Sequence, residues 1–144
     1  MNILNKAGVV AVTVDPESPV IEAVRLMKES AVDTLFVAED SKVIGAFTQR
    51  DLAFRVVLSR LDPEATAVRE VMTSPAITLP SKATVADALQ MMAENRVPQL
   101  AVVNAEGLIK GMVTLRDIFR EQTIDLTEEL DALIAYHTAD GIGG

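Results

Sequence analysis

The order of apolar and polar residues along the chain predicts short strands that alternate with amphipathic helices. The β-branched run at residues 9–14 is typical of a strand. The segment after it carries apolar residues on one helical face, at Val20, Ala23, Val24 and Met27. Ser18 is predicted to cap this helix, because a serine side chain accepts hydrogen bonds from the free amides of a first turn.

Two apolar runs separated by a polar turn follow this helix. Leu35–Ala38 and Val43–Phe47 predict a β-hairpin whose second strand leads directly into Thr48–Asp51. A further helix is expected from about Gln49 to Arg60. It should stop before Asp62-Pro63, because proline lacks the amide that would continue the helix. The order of elements is therefore strand, helix, strand, strand, helix.

The same pattern occurs a second time in the chain. Val20 and Val85 stand 65 positions apart, and Thr48 and Thr114 stand 66 positions apart. Further matched pairs are Met27/Met92, Val32/Val97, Leu35/Leu100, Val37/Val102, Gly45/Gly111, Arg50/Arg116 and Asp51/Asp117. The one extra residue of the second copy falls in the polar stretch 104–107, where a hairpin loop tolerates insertion. In the second copy, Thr84 and Asp87 have the spacing of a capping box.

The predicted fold class is α/β (α+β), with two tandem strand-helix-strand-strand-helix repeats and a C-terminal helix. We assign repeat 1 to residues 5–61, a linker to 62–76, repeat 2 to 77–122 and the tail to 123–144. Each repeat is too short to bury much surface alone, so the two are expected to pack with approximate twofold symmetry. A tail helix is expected from Ile124 to Tyr136, with Leu126, Leu130, Leu133 and Ile134 on one stripe.

Composition and charge exclude several classes of protein. The 144 residues contain no cysteine and one histidine, His137, which argues against disulfides, thiolate metal sites and a histidine metal cluster. No apolar run approaches the length that spans a bilayer, and the N-terminus does not resemble a secretion signal, so we expect a cytoplasmic protein. The formal charge of −8 disfavours binding to nucleic acid or to anionic membranes.

The chemistry of the repeats is concentrated where a strand becomes a helix, at Thr48-x-x-Asp51 and Thr114-x-x-Asp117. One interpretation is structural, because a threonine hydroxyl and an aspartate three residues later form a capping box. The other is functional. A helix N-terminus and a threonine hydroxyl can bind a phosphate, and a nearby carboxylate can accept hydrogen bonds from both hydroxyls of a ribose.

These motifs resemble those of a known family. Gly-x-x-Thr-x-x-Asp closes each copy, and Val71-Met72-Thr73-Ser74-Pro75 opens the second. The arrangement, over about residues 5 to 121, resembles a tandem pair of CBS domains, named after cystathionine β-synthase. The resemblance implies a regulatory module with two clefts that bind AMP, ADP, ATP or S-adenosylmethionine, with no obligatory cofactor. It also implies a homodimer, often a flat disc, that signals to a regulated partner protein.

The resemblance also implies which residues form the two clefts. Asp51 and Asp117 would bind ribose hydroxyls, and Thr48 and Thr114 would contact phosphate. One cleft would consist of Thr114, Asp117, Val12, Val32 and Asp33, and the other of Thr48, Asp51, Ile77, Val97 and Pro98. Thr34 and Gln99 stand where many members place a basic residue. Because Asp33 is an acid close to the expected phosphate, the Thr48–Asp51 cleft is expected to be the better nucleotide site.

The alternative functions are an enzyme and a structural interaction module. An enzyme is disfavoured, because the chain has no cysteine, no usable histidine and no Gly-x-Ser-x-Gly elbow, so we assign no catalytic residue and no metal site. A structural module with empty clefts, whose outer helices bind a partner protein, remains open. The regulated partner is not identified by the sequence.

Overall fold

The computed structural model describes residues 8–121, 130 and 132–135. Two three-stranded sheets have the same topology, in which the first strand is parallel to the second and the second is antiparallel to the third. The first sheet contains β1 (Thr13–Val14), β2 (Thr34–Glu39) and β3 (Lys42–Thr48), and the second contains β4 (Thr78–Pro80), β5 (Gln99–Val103) and β6 (Ile109–Thr114). The predicted pair of strand-helix-strand-strand-helix repeats is thereby confirmed.

Two helices cross over between the parallel strands, two follow the hairpins, and one short helix lies in the linker between the repeats. They are α1 (Val20–Ser30), α2 (Gln49–Asp51, continued by a π-helical segment at Leu52–Val57), α3 (Val68–Val71), α4 (Val85–Asn95) and α5 (115–121). The helix predicted from Gln49 to Arg60 is present, but most of it is π-helical, so each of its turns is wider than a turn of an α-helix. The amide of Leu58 bonds to the carbonyl of Ala53, five residues back, which is the π-helical pattern.

The predicted capping role of Ser18 was wrong. Helix α1 begins at Val20 and receives no hydrogen bond from a side chain at its N-terminus. Instead, the linker between the repeats supplies backbone acceptors: the amide of Val20 bonds to the carbonyl of Thr66, and that of Ile21 to the carbonyl of Pro63. Main-chain carbonyls thus satisfy the free amides of the first turn, so no side-chain cap is needed. Helix α4 does have its predicted capping box, between Thr84 and Asp87.

The two hairpins turn in different ways. Asp40 and Ser41 both have positive φ, of 51° and 67°, as a tight two-residue turn of the primed type requires. The longer second loop places Gly107 at φ 82°. The extra residue of repeat 2 is therefore accommodated in the loop, and the paired strands keep their register.

Three apolar clusters among the described residues hold the two repeats together. Each repeat has its own core between sheet and helices, with Phe47 fully buried in repeat 1 and Leu100 fully buried in repeat 2. The third cluster contains Phe36, Ala101 and Met112 and so includes buried residues of both sheets. It is the shared core that joins the two repeats.

The segment that opens each repeat pairs with the last strand of the other repeat. Val9 and Met112 exchange two backbone hydrogen bonds of 2.9 Å, and Thr73 and Ala46 exchange two of 2.8 and 2.9 Å. Ala46 and Met112 are equivalent positions of the two repeats, so Val9 and Thr73 are equivalent as well. This exchange brings each opening segment to the strand that ends in the Thr-x-x-Asp motif of the other repeat.

The predicted tail helix lies mostly outside the described residues. Leu130 and residues 132–135 are helical, and Leu130, Leu133 and Ile134 are exposed. The rest of the predicted helix, including Leu126 and Tyr136, is outside the described residues. Within the described ranges, no helix combines the length and apolar character that crossing a membrane would require.

Candidate functional site

Thr48 and Asp51 form a complete capping box at the start of α2. The Thr48 hydroxyl accepts a hydrogen bond from the amide of Asp51 at 3.1 Å, and the Asp51 carboxylate accepts one from the amide of Thr48 at 3.0 Å. The structural interpretation of the motif therefore holds in repeat 1. The capping box uses one carboxylate oxygen of Asp51, Oδ2, and not the other, Oδ1.

That second oxygen is engaged by other parts of the chain. The Thr73 hydroxyl donates a hydrogen bond of 2.9 Å to Oδ1 of Asp51, and Nε of Arg55 lies 3.5 Å from the same atom. Asp51 is only 5% exposed. Both oxygens of this buried carboxylate thus have partners within the chain, as a buried charge requires. Its low exposure leaves this carboxylate little accessible surface for a further donor such as a ribose hydroxyl.

The backbone of Gly45 is in close contact with the opening segment of repeat 2. A Cβ on Gly45 would lie 2.7 Å from Sδ of Met72 and 2.8 Å from the carbonyl oxygen of Thr73. Real Cβ atoms do not approach other atoms this closely. Glycine is therefore required here for the packing of Met72 and Thr73 on β3.

Thr114 and Asp117 adopt a more open arrangement in repeat 2. The Thr114 hydroxyl accepts a hydrogen bond from the amide of Asp117 at 3.0 Å and lies 2.7 Å from Oδ2 of the same residue. The Asp117 side chain is 19% exposed, and Arg120 lies 3.8 Å from its Oδ1. Valine occupies the position equivalent to Thr73, so no hydroxyl at that position can donate to Asp117.

A cleft of about 440 Å³ lies between the two repeats. It joins the turn after α1 to the start of α5, and the turn after α4 to the start of α2. Its lining residues are Met27, Lys28, Ala31, Val32, Asp33, Thr34, Gln49, Pro98, Gln99, Met112, Thr114 and Arg116. The structure thus brings together four of the predicted site residues: Val32, Asp33, Pro98 and Thr114.

The other predicted site residues do not line this cleft. Val12 packs against the core of repeat 1, and Ile77 and Val97 pack against the core of repeat 2. Thr48 and Asp51 bond to each other, and Asp51 also accepts from the Thr73 hydroxyl. Asp117 bonds to Thr114 and is not a lining residue either. Of the four predicted residues that line this cleft, three belong to the predicted Thr114 cleft and one, Pro98, belongs to the predicted Thr48 cleft.

The cleft contains both signs of charge. Lys28 and Arg116 are cations, and Asp33 is an anion. The backbone of Asp33 is already engaged, because its carbonyl accepts from the amide of Gln49, as the carbonyl of Pro98 accepts from Leu115. These bonds use the first amide of each helix. An anion in the cleft would therefore depend on Thr114, Arg116 and Lys28 more than on free helix amides.

Eight residues of the cleft were not among the predicted site residues: Met27, Lys28, Ala31, Thr34, Gln49, Gln99, Met112 and Arg116. Ala31 has a positive φ of 54°, which ends α1 and directs the chain into the turn that carries Val32 and Asp33. The position of Lys28 in the last turn of α1 was visible in the sequence, but only the packing of the repeats directs that helix end towards Arg116 and Thr114.

The chain is similar to several known proteins. A family model described as CBS domain matches residues 9–58 and 68–123. Inosine-5'-monophosphate dehydrogenase from Korarchaeum cryptofilum is 35% identical over 112 residues, which cover 78% of this chain and 22% of that protein. Across the curated relatives, the matched part ranges from about a fifth to three fifths of their length. The similarity to the dehydrogenase is thus confined to a minor part of that enzyme, which supports a non-catalytic module.

Solved structures share the fold. A conserved protein from Pyrococcus horikoshii has a TM-score of 0.72 at 31% identity, covering 83% of this chain and 90% of that one. A CBS domain protein from Pyrobaculum aerophilum, solved as a complex with AMP, has a TM-score of 0.73 at 20% identity, covering 81% and 89%. Two matched segments, the doubled topology and the repeated Thr-x-x-Asp turns agree: the chain belongs to the CBS domain family as a tandem pair.

Proposed function

We propose that this chain is a regulatory module that binds an adenosine compound, such as AMP, ADP, ATP or S-adenosylmethionine, in the cleft at Thr114. The observation that supports it most is the contrast between the two aspartates. Asp51 is buried and bonded to Thr73, whereas Asp117 is partly exposed at the start of α5. Asp117 does not itself line the cleft, but Thr114 and Arg116 of the same turn do.

The cleft suits a nucleotide in size and in chemistry. Its volume of about 440 Å³ falls within the usual range for small-molecule sites. Val32, Pro98 and Met112 supply apolar surface for a base, and Arg116 and Lys28 supply positive charge for phosphate. In this proposal Asp117 accepts hydrogen bonds from ribose hydroxyls and Thr114 contacts phosphate. Asp33 limits the negative charge that the cleft tolerates, so a monophosphate should bind better than a triphosphate.

Titration calorimetry tests the proposal. AMP, ATP and S-adenosylmethionine are each titrated into the purified chain, and at least one should bind with a stoichiometry of one per chain. AMP is the first ligand to titrate, because a protein with the same fold was solved as a complex with AMP. If none of the three gives heat or a thermal shift at millimolar concentration, the proposed function is wrong.

Asp117→Ala localises the bound ligand. Loss of hydrogen bonds between a carboxylate and the ribose should weaken binding by about 1 to 3 kcal/mol. Asn at the same position keeps one acceptor and should lose less. Unchanged affinity in Asp117→Ala would mean that the ribose binds elsewhere.

A homodimer is also proposed, on a separate observation. The outer side of α2 exposes Phe54, Val57 and Leu58, at 60%, 64% and 72%, and α5 exposes Phe119 at 55%. Large apolar side chains clustered on a surface are typical of an interface. Light scattering should therefore give about twice the chain mass of 15.5 kDa, and Phe54→Glu should return the particle to the mass of a single chain.

The same exposed side chains support the runner-up function, a structural interaction module with empty clefts. The two functions separate cleanly in the calorimeter. A dimer without adenosine binding would favour the structural module, whereas binding that changes the dimer mass or its thermal stability would favour regulation.

A further inference from the structure

Residues 66–71, which we call the linker segment, pack along repeat 1. The amide of Val68 bonds to the carbonyl of Ser18, and the amide of Val20 bonds to the carbonyl of Thr66, both at 2.9 Å. This is the hydrogen-bond pattern of a short antiparallel pair. The linker segment therefore supplies main-chain partners to the start of α1.

The side chains of the linker segment form a buried group and an exposed group. Val68 and Val71 are 0% and 3% exposed and belong to the core of repeat 1. Arg69 is exposed and pairs with Glu17 and Glu39. The linker segment thus covers repeat 1 with two apolar side chains and carries its charges on the outer side.

The equivalent surface of repeat 2 offers the same main-chain groups. Ala83 and Val85 correspond to Ser18 and Val20 at the offset of 65 residues. Within residues 8–121, the carbonyl of Ala83 and the amide of Val85 have no backbone hydrogen-bond partner. Of the four residues of repeat 1 that bond to the linker, three have less buried counterparts in repeat 2 and one has a more buried counterpart. The three pairs are Pro16/Ser81, Val20/Val85 and Ile21/Ala86, and the reversed pair is Ser18/Ala83.

The exchange of opening segments identifies the counterpart of the linker segment. Val9 and Thr73 are equivalent, because each exchanges two backbone hydrogen bonds with the matched position of a last strand. The linker segment ends two positions before Thr73, so its counterpart, residues 2–7, ends two positions before Val9. Residues 2–7, which we call the N-terminal segment, lie outside the described residues. Since Val9 is bonded to Met112, the N-terminal segment is tethered next to repeat 2.

The two segments share one order of apolar and polar residues. Residues 67–71 are Ala-Val-Arg-Glu-Val, and residues 3–7 are Ile-Leu-Asn-Lys-Ala. Both have two apolar residues, then two polar residues, then one apolar residue. Leu4 and Ala7 stand at the two positions that are buried in the linker segment. The N-terminal segment can therefore present apolar side chains to repeat 2 at the spacing that the linker segment uses on repeat 1.

The exposed position between these apolar residues agrees with the charge of the surface beside it. In repeat 1, Arg69 pairs with Glu17. The counterparts of these two residues are Asn5 and Lys82. An arginine at position 5 would face a second cation, whereas asparagine avoids that repulsion. The N-terminal segment is thus compatible with repeat 2 in charge as well as in its apolar pattern.

We propose that the N-terminal segment docks on repeat 2 of its own chain and covers it as the linker segment covers repeat 1. Leu4 then takes the place of Val68, and its amide bonds to the carbonyl of Ala83. The carbonyl of Asn2 accepts from the amide of Val85. Burial of Leu4 drives the docking, because it removes a large apolar side chain from water.

Cross-linking tests the register of this docking in the full chain, which has no native cysteine to interfere. In repeat 1, Pro19 and Ala67 are directly opposed between two backbone hydrogen bonds. Residues paired in this way have Cα atoms about 4.5 Å apart, within disulfide range. Their counterparts are Thr84 and Ile3, so Ile3→Cys/Thr84→Cys should form an intramolecular disulfide under mild oxidation. Peptide mapping by mass spectrometry identifies the bond.

Two further double variants make the result specific. Pro19→Cys/Ala67→Cys is the positive control and should oxidise. Lys6→Cys/Thr84→Cys has the same tether but uses an exposed position out of register, so it should remain largely reduced. A disulfide-linked dimer at Ile3/Thr84 would assign the surface to a second copy and overturn the proposal. Free thiols at Ile3/Thr84, or equal oxidation at Lys6/Thr84, would overturn it altogether.

Hydrogen exchange gives a measurement without new thiols. Leu4→Asp should raise the exchange rate of the Val85 amide by about tenfold or more, because loss of docking removes its hydrogen bond. Asn5→Asp introduces the same charge at an exposed position and should leave the rate nearly unchanged. An unchanged rate in Leu4→Asp, or an equal rise in both variants, would contradict the burial of Leu4.

None of these measurements requires a nucleotide. They would succeed or fail whether or not the Thr114 cleft binds adenosine, so they are independent of the proposed function.

Discussion

Asp51 and Asp117 occupy the same place in the same motif and have different surroundings. Asp51 is buried, and its carboxylate is held by the amide of Thr48, the hydroxyl of Thr73 and the side chain of Arg55. Asp117 is more exposed, and Arg120 is its charged neighbour. The difference originates outside the motif, in the opening segment of the opposite repeat, which presents Thr73 to one aspartate and has Val9 at the equivalent position.

This comparison shows that equivalent aspartates of an internal repeat can have different hydrogen-bond partners. Where the opening segment carries a hydroxyl, at Thr73, the aspartate accepts a hydrogen bond from it and so helps to hold the linker against β3. Where it carries valine, the aspartate keeps capacity for another donor. The predictions below test whether Asp51 acts mainly in stability and Asp117 mainly in binding.

The largest expected effect is that of Asp51→Ala on stability. It removes a buried carboxylate and leaves its former donors unsatisfied, so the free energy of unfolding should fall by about 3 kcal/mol. Urea denaturation measures it. Asp117→Ala is the matched control and should cost about 1 kcal/mol or less, since its carboxylate is partly solvated. Equal losses in the two variants would remove the structural distinction between the aspartates.

Gly45→Ala should have the next largest effect on stability. The new Cβ would clash with Sδ of Met72 and with the backbone carbonyl of Thr73. The free energy of unfolding should fall by about 2 kcal/mol, as is usual for overpacking. Adding Met72→Ala should restore only part of this loss, because the carbonyl of Thr73 remains in place. Full recovery in the double variant would show that the methionine is the only obstacle.

Thr73→Val makes the opening segment of repeat 2 like that of repeat 1. It should reduce the free energy of unfolding by about 1 kcal/mol, the usual value for one hydrogen bond. Under the proposed function it should also release Asp51 for ligand and raise the stoichiometry in calorimetry from one towards two. Val9→Thr is the reciprocal variant, and it should weaken binding at Asp117. A stoichiometry of one that persists in Thr73→Val would mean that Thr73 does not close this cleft.

Arg69→Gln should have the smallest effect. Arg69 donates hydrogen bonds of 2.7 Å to Glu17 and 2.6 Å to Glu39, and these raise its pKa above the ordinary value. All three side chains are largely exposed, so water and salt screen the attraction. We expect a small decrease in melting temperature at low ionic strength that disappears in high salt. A large, salt-independent decrease would mean that Arg69 is essential to the linker's cover of repeat 1.

The doubled topology and the hairpins were predictable because they depend on local patterns. Apolar periodicity specified the strands and crossover helices, and Thr-x-x-Asp spacing indicated the boxes at Thr48 and Thr84. The cap at Ser18 was predicted wrongly because the donors at that helix start are satisfied by linker carbonyls distant in sequence. The π-helical turns after Asp51 also had no local signal that we recognised.

The candidate site was predictable only in part. The two Thr-x-x-Asp motifs and the turns at Val32 and Pro98 could be found by comparing the copies. The unequal surroundings of Asp51 and Asp117 could not be predicted in this way, because Thr73 reaches Asp51 only through the pairing of segments that are distant in sequence. Lys28 and Gln49 likewise join the cleft through the packing of one repeat on the other.

The sequence by itself thus determined the repeat, the order of its elements and the residues at each helix start, since these follow from spacing along the chain. Only the tertiary structure decided that the opening segments are exchanged between repeats, that the Thr73 hydroxyl bonds to Asp51, and that Thr114 rather than Thr48 lines the cleft between the repeats. The physical reason is that a hydrogen bond between residues 22 positions apart leaves no periodic trace in the sequence and forms only when two repeats bury a shared core.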